Sequence, residues 1–128
     1  MRESVTLTEK FFEVINHEGV VSIVSWGQNE PHIVNTWNSY LHVTNDERIL
    51  IPAAGMHSIE ADLAKNDKVK LTMGSKDVQG LFTTGAGFRI EGTAKLLATG
   101  NDYELMFNKF PFLTRVLEIT ITTLKQTL

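Results

Sequence analysis

No cysteine occurs among the 128 residues, which excludes disulfides, thiolate metal sites and cysteine nucleophiles while leaving the redox compartment open. Any electron transfer must then run through a borrowed cofactor. Long apolar runs are missing as well: none approaches the ~20 residues of a spanning helix. The N-terminus has no basic start leading into an apolar stretch, so a cytoplasmic protein with no membrane partner is expected. Basic runs are also absent. The 12 Lys and Arg are scattered singly against 15 Asp and Glu, for a net charge of −3, and the electrostatic footprint of a nucleic-acid binder is not there. His17, His32, His42 and His57 lack zinc-ligand spacing, and no metal is expected. Gly74-Ser75 does not form a nucleophile elbow, and Gly85-Ala86-Gly87 leads into a strand without the third glycine of a dinucleotide fingerprint.

What is present is the patterning of one small domain over residues 1–128, mainly β with a few short helices. Thr6 and Glu9 have the spacing of a capping box, and Phe11, Phe12 and Ile15 share a helical stripe, predicting a helix from Thr6 to Glu18. A β-branched strand comes next, from Val20 to Trp26. The polar stretch Gly27 to Pro31 reads as a hairpin loop into a long second strand, His32 to Val43. Thr44 to Glu47 turns the chain, and Arg48 to Pro52 forms a strand halted by proline. A connecting helix is predicted from Ser58 to Asn66, and strands from Lys68 to Gly74, from Phe88 to Leu97 after a glycine-bearing loop, and from Arg115 to Thr123. A further helix spans Asn101 to Lys109. In the last strand Leu117, Ile119 and Ile121 face one way, and Glu118, Thr120 and Thr122 the other. About six strands in hairpin order close most economically into a small antiparallel barrel, because closure removes exposed edges.

Two stretches carry possible chemistry. Around Asn35, Thr36 and Trp37 neither face of the second strand is cleanly apolar. Amide, hydroxyl and flat ring together suit a polar aromatic ligand, or else mark a solvated strand face. Pro52-Ala53-Ala54-Gly55-Met56-His57-Ser58, small residues leading into a helix, reads either as an anion cradle or as an ordinary N-cap at Ser58. Composition and pattern go no further than a barrel with a pocket for an aromatic, anionic ligand.

Glu18-Gly19-Val20-Val21, the unbroken block Pro31 to Leu41, Gly55-Met56-His57 and Gln126-Thr127-Leu128 resemble, in order along the whole chain, the small bacterial FMN-binding proteins of the pyridoxamine 5'-phosphate oxidase-like split-barrel superfamily. The resemblance implies a six-stranded antiparallel split barrel, a homodimer, and flavin mononucleotide (FMN) at the subunit interface. It implies that Asn35, Thr36 and Trp37 contact the flavin, that Pro52, Ala53, Ala54 and Gly55 line its ring edge and ribityl chain, and that His57 and Ser58 meet the phosphate. Phe112 and Leu128 would shield the ring from the partner subunit, and Glu18 matches an acid near the cofactor. The chain departs from the family at Ser58, where a lysine is expected. Lys76, Lys70 or Arg89 would have to compensate. Ala54 stands where a glycine is expected, and Phe112 where a tryptophan is.

The function so implied is that of an FMN-binding electron carrier, possessing no catalytic residues of its own and serving a redox protein partner. The alternatives are a flavin reductase or pyridoxamine 5'-phosphate oxidase-like oxidoreductase, which would need a second anion site that no basic cluster supplies, and a haem-binding split barrel.

Overall fold

The computed structural model describes residues 5–27 and 29–128; of the expected first hairpin loop, Gln28 lies outside them. Among the described residues there are three α-helices, α1 (Glu9–Ile15), α2 (His57–Leu63) and α3 (Asn101–Lys109). The strands are β1 (Val20–Trp26), β2 (Pro31–Trp37), β3 (His42–Val43), β4 (Ile49–Ala53), β5 (Lys68–Gln79), β6 (Thr84–Leu97) and β7 (Arg115–Gln126). They form one seven-stranded sheet in the order β2-β1-β5-β6-β7-β4-β3, every pair antiparallel. The sheet is not closed by pairing, so β2 and the two-residue β3 remain edges where a closed barrel was expected.

The extra strand arises because the long second strand breaks. Asn38–Tyr40 is a 3₁₀ turn, and the chain beyond it re-enters the sheet as β3. Asn38 causes the break: it is buried, and its Nδ2 donates to the carbonyls of Val14 (3.3 Å), His17 (2.8 Å) and Gly74 (3.1 Å). Two of those carbonyls lie at the C-terminal end of α1, where helical acceptors lack intrahelical partners. The same junction demands Gly19, because a Cβ there would lie 2.2 Å from the carbonyl oxygen of Gly74.

Helix α1 is shorter than its sequence pattern. Thr8, not Thr6, is the N-cap, its side chain accepting from the N–H of Phe11, and Phe11 and Val14 are the residues it buries. Phe11 meets Phe88 edge to face with ring centroids 5.6 Å apart, fastening α1 over the main core of Val21, Ile23, Leu71, Ile90, Ile119 and their neighbours. The alternation expected from Lys68 to Gly74 is present, with Val69, Leu71 and Met73 inward. Both strands of that hairpin run further than expected, to Gln79 and from Thr84, leaving Gly80 to Thr83 as the loop, closed by a bond from Gly80 N to Thr83 O.

β4 passes through Pro52 rather than stopping there. β3 pairs only with Ile49 and Leu50, so the missing N–H of Pro52 breaks no ladder bond on that side. β7 departs from simple alternation: Val116, Leu117, Glu118 and Ile119 are all buried. The face expected to meet water is covered by α3, whose Met106 joins Leu50, Leu113 and Val116 in a second apolar cluster. Glu118 is tolerated there because Arg48 Nη1 donates to its Oε2 and Lys95 lies 3.5 Å from its Oε1. Arg48 also reaches Asp46 at 3.0 Å and Asp102 at 2.8 Å.

Candidate functional site

Asn35, Thr36 and Trp37 close β2, the edge strand. Cross-strand partners share a sheet face, so the pairs Val20↔Trp37, Ser22↔Asn35 and Val24↔Ile33 lie on one side. On that side Ile33 is 69% exposed, and Trp37 and Val20 are each 46% exposed. Thr36 points the other way and is buried. Asn35 Oδ1 accepts from the Ser22 hydroxyl at 3.3 Å. Immediately after Trp37 the chain is clamped by Glu18, whose Oε2 accepts from the Ser39 hydroxyl at 2.7 Å and whose Oε1 accepts from the Ser39 N–H at 3.1 Å. Those bonds hold the Glu18 carboxyl below its ordinary range, and it stays ionised at neutral pH.

Pro52 and Ala53 are buried within β4, while Ala54, Gly55, His57 and Ser58 are exposed where the chain leaves the sheet for α2. Two consecutive left-handed residues make the corner, Gly55 at φ 75° and Met56 at φ 54°. A Cβ placed on Gly55 would meet nothing within 4 Å, so this corner is open. Ser58 is not the N-cap: that position is Met56, and no side chain caps α2. The remaining expected residues lie on elements tied to these. Phe112 packs on Tyr40, the last residue of the 3₁₀ turn, with centroids 5.6 Å apart. Two residues further on, Thr114 donates from its N–H and its hydroxyl to the carbonyl of Ala53, at 2.9 and 3.1 Å. Leu128 lines a cavity of about 450 Å³ with Val20, Gly74, Ser75, Lys76 and Gly87, and Val20 is the cross-strand partner of Trp37.

One chain therefore links the β2 end to the Phe112 loop and that loop to the β4–α2 corner, but of the expected flavin contacts the 450 Å³ cavity takes in Leu128 alone, with Lys76 of the expected cations. The expected compensating cations stand elsewhere. Lys70 lies over the Trp26 ring at 5.9 Å, Lys76 pairs with Asp77 at 3.1 Å, and Arg89 lies 3.8 Å from Glu91. All are on β5 and β6, which β7 separates from β4. Among the described residues, Arg115 brings a basic side chain to the corner, donating from Nη2 to the carbonyl of Gly55.

The sequence profile described as pyridoxamine 5'-phosphate oxidase matches residues 7–128. The chain belongs to that family. A protein of Nitratidesulfovibrio vulgaris called FMN-binding protein is 43% identical over 118 residues, covering 92% of this chain and 96% of that protein. Among solved structures, HupZ of Group A Streptococcus superposes with a TM-score of 0.76 at 16% identity, covering 95% of this chain and 94% of the other. An FMN-binding protein from Syntrophomonas wolfei superposes with a TM-score of 0.70 at 17% identity, covering 94% and 85%. At such identities the structural likenesses establish the split-barrel fold of the family and nothing beyond it.

Two groups at the site were not singled out from sequence. Arg115 reads there only as the start of the last strand; the β4–β7 register that sets it opposite Ala53 is non-local and leaves no local signal. Asp62, on α2, is buried and accepts from the Ser25 hydroxyl at 2.6 Å and lies 2.8 Å from His32 Nδ1. It fastens α2 to β1 and β2, and those hydrogen bonds hold its carboxyl below the ordinary value. The pairing of a buried serine with an aspartate 37 residues away is likewise invisible to local pattern. Among the described residues no helix is long and apolar enough to cross a membrane.

Proposed function

We propose that this chain binds FMN between two copies of itself and serves as an electron carrier to a redox protein partner. The observation that carries the reading is the 43% identity, across 92% of the chain, to a relative called FMN-binding protein. The residues present suit the group. At the β4–α2 corner the open side of Gly55 leaves room for a ligand, and Arg115 brings a guanidinium to the Gly55 carbonyl, its Nη1 3.0 Å from Glu60 Oε2 without hydrogen-bond alignment. In this assignment Asn35, Thr36 and Trp37 hold the ring, Pro52, Ala53, Ala54 and Gly55 line its edge, and His57 and Ser58 meet the phosphate. Phe112 and Leu128 reach the ring from the second copy. The apolar row of Val20, Ile33 and Trp37 on the outer face of β1 and β2 supports a partner chain there, since such residues gain when covered.

Bound FMN would supply reversible electron transfer that this cysteine-free chain lacks. Glu18, held ionised by Ser39, places a fixed negative charge beside that serine, two residues beyond Trp37, and opposes build-up of negative charge on the ring. The test is a visible spectrum of the purified protein, its mass in solution, and its quenching of added FMN fluorescence. A yellow dimer that quenches FMN is expected. A colourless monomer that leaves FMN emission unchanged refutes the reading, and sustained NADH or NADPH oxidation with saturating FMN would replace the carrier with an enzyme.

A further inference from the structure

Arg115 opens β7 opposite Ala53, and its side chain runs across the end of β4. Nη2 donates to the Gly55 carbonyl, while Nη1 lies 3.0 Å from Glu60 Oε2. The second contact is close but badly aimed: Nη1 is sealed from solvent and makes no hydrogen bond. The Glu60 carboxylate is thus an anionic partner of the buried Nη1 at poor hydrogen-bond alignment, and an incoming anion with better geometry competes with it for the guanidinium. The two partners differ in freedom. The Arg115 side chain is 14% exposed and that of Glu60 49%, so the guanidinium is the fixed member and the carboxylate the movable one.

We propose that Arg115 is the cationic ligand of the flavin 5'-phosphate. The inference rests on the FMN site proposed for this chain and adds which side chain carries the charge. The residues already assigned to the phosphate bring an exposed imidazole and a hydroxyl, and seven-residue α2 is too short to supply much of a macrodipole. A guanidinium offers donors in a planar fork matched to phosphate oxygens. Two other titratable groups face it. Glu60 holds Arg115 in place and competes with the incoming anion, and His57 Nδ1 lies 3.6 Å from Glu60 Oε1. Removing the Glu60 charge should therefore strengthen phosphate binding, whereas removing the Arg115 charge weakens it.

The test compares FMN with riboflavin, which has the same ring and no phosphate, by fluorescence titration of the full chain and of Arg115→Gln, Arg115→Lys and Glu60→Gln. Arg115→Gln should weaken FMN about 10- to 100-fold, the range for hydrogen bonds to charged groups, and leave riboflavin unchanged within about twofold. Arg115→Lys should fall between, keeping charge without the fork. Glu60→Gln should tighten FMN alone. Equal losses for both flavins in Arg115→Gln, or an unaltered FMN affinity, would overturn the assignment. If Arg115→Gln does not fold, an unchanged FMN-to-riboflavin ratio in both other variants overturns it instead. Wild-type protein that quenches neither flavin removes the FMN reading itself, and this inference with it.

Discussion

Asn38→Ala isolates the junction that fixes the end of β2. The Asn38 amide has two N–H groups for three carbonyls, so its net worth is that of two hydrogen bonds, each ~1 kcal/mol. Truncation also leaves carbonyls of α1 and β5 in a volume that water does not readily reach, at ~1–3 kcal/mol more. Part of this is offset because Asn38 Oδ1 is itself buried and unpartnered, and that burden disappears with the side chain. The expected loss is about 2–4 kcal/mol, or roughly 8–15 °C in Tm for a domain of this size. Urea unfolding of the flavin-free protein at one fixed protein concentration reads it as a lower midpoint at constant slope. Asn38→Asp, nearly the same shape but with a carboxylate facing the three carbonyls, should cost at least as much at neutral pH and less in acid. Ser39→Ala, which removes an exposed hydroxyl, should change stability by less than about 0.5 kcal/mol. A loss below ~0.5 kcal/mol for Asn38→Ala would mean that the carbonyls find other donors and that Asn38 does not hold the junction.

Three other contacts carry expected outcomes of their own. Gly19→Ala, whose Cβ would lie 2.2 Å from a backbone oxygen, should lower stability by about 3 kcal/mol in a thermal melt; a neutral result would show that β1 and β5 part easily. Because the folded Asp62 carboxyl is held below its ordinary value, it contributes stability above about pH 4 that is lost as pH falls toward the lower folded value. Asp62→Asn should therefore flatten the acid limb of the pH–stability curve, and an unchanged limb would dismiss the linkage. Arg48→Met leaves the buried Glu118 with only Lys95 among the cations described near it and should cost about 2–4 kcal/mol. Adding Glu118→Leu should recover part of that loss, and a double variant less stable than the single would contradict the assignment.

How far the sequence could be read depended on the range of the forces involved. The alternation of Val69, Leu71 and Met73, and the β-branched run from Val20, report local burial on one sheet face, and these elements stand where expected. Breaks decided by distant partners did not show. Asn38 looks like one more polar residue in a strand until Val14, His17 and Gly74 converge on it. Glu118 looks solvent-facing until α3 and Arg48 cover it. The corner at Gly55 and Met56 is a backbone conformation without a capping side chain, so the serine that resembles a cap sits inside the helix instead. Around the proposed flavin, pattern alone suggested a polar aromatic ligand at Asn35, Thr36 and Trp37 and an anion cradle or N-cap from Pro52 to Ser58, and the assignment to a flavin came from the resemblance. What they lacked was Arg115, because a side chain entering from a neighbouring strand depends on register, which no spacing along one segment encodes.

The β1–β2 hairpin also fixes the protein's optical properties. Its two tryptophans sit at opposite ends of the ladder, Trp37 against Val20 and Trp26 against Pro31, about 20 Å apart at the rise of an extended strand. One lies at the proposed ring and the other beneath Lys70, so their emissions report on different ends of the molecule. Trp26→Phe would leave a single tryptophan beside the proposed flavin, turning ligand uptake into a signal that needs no label.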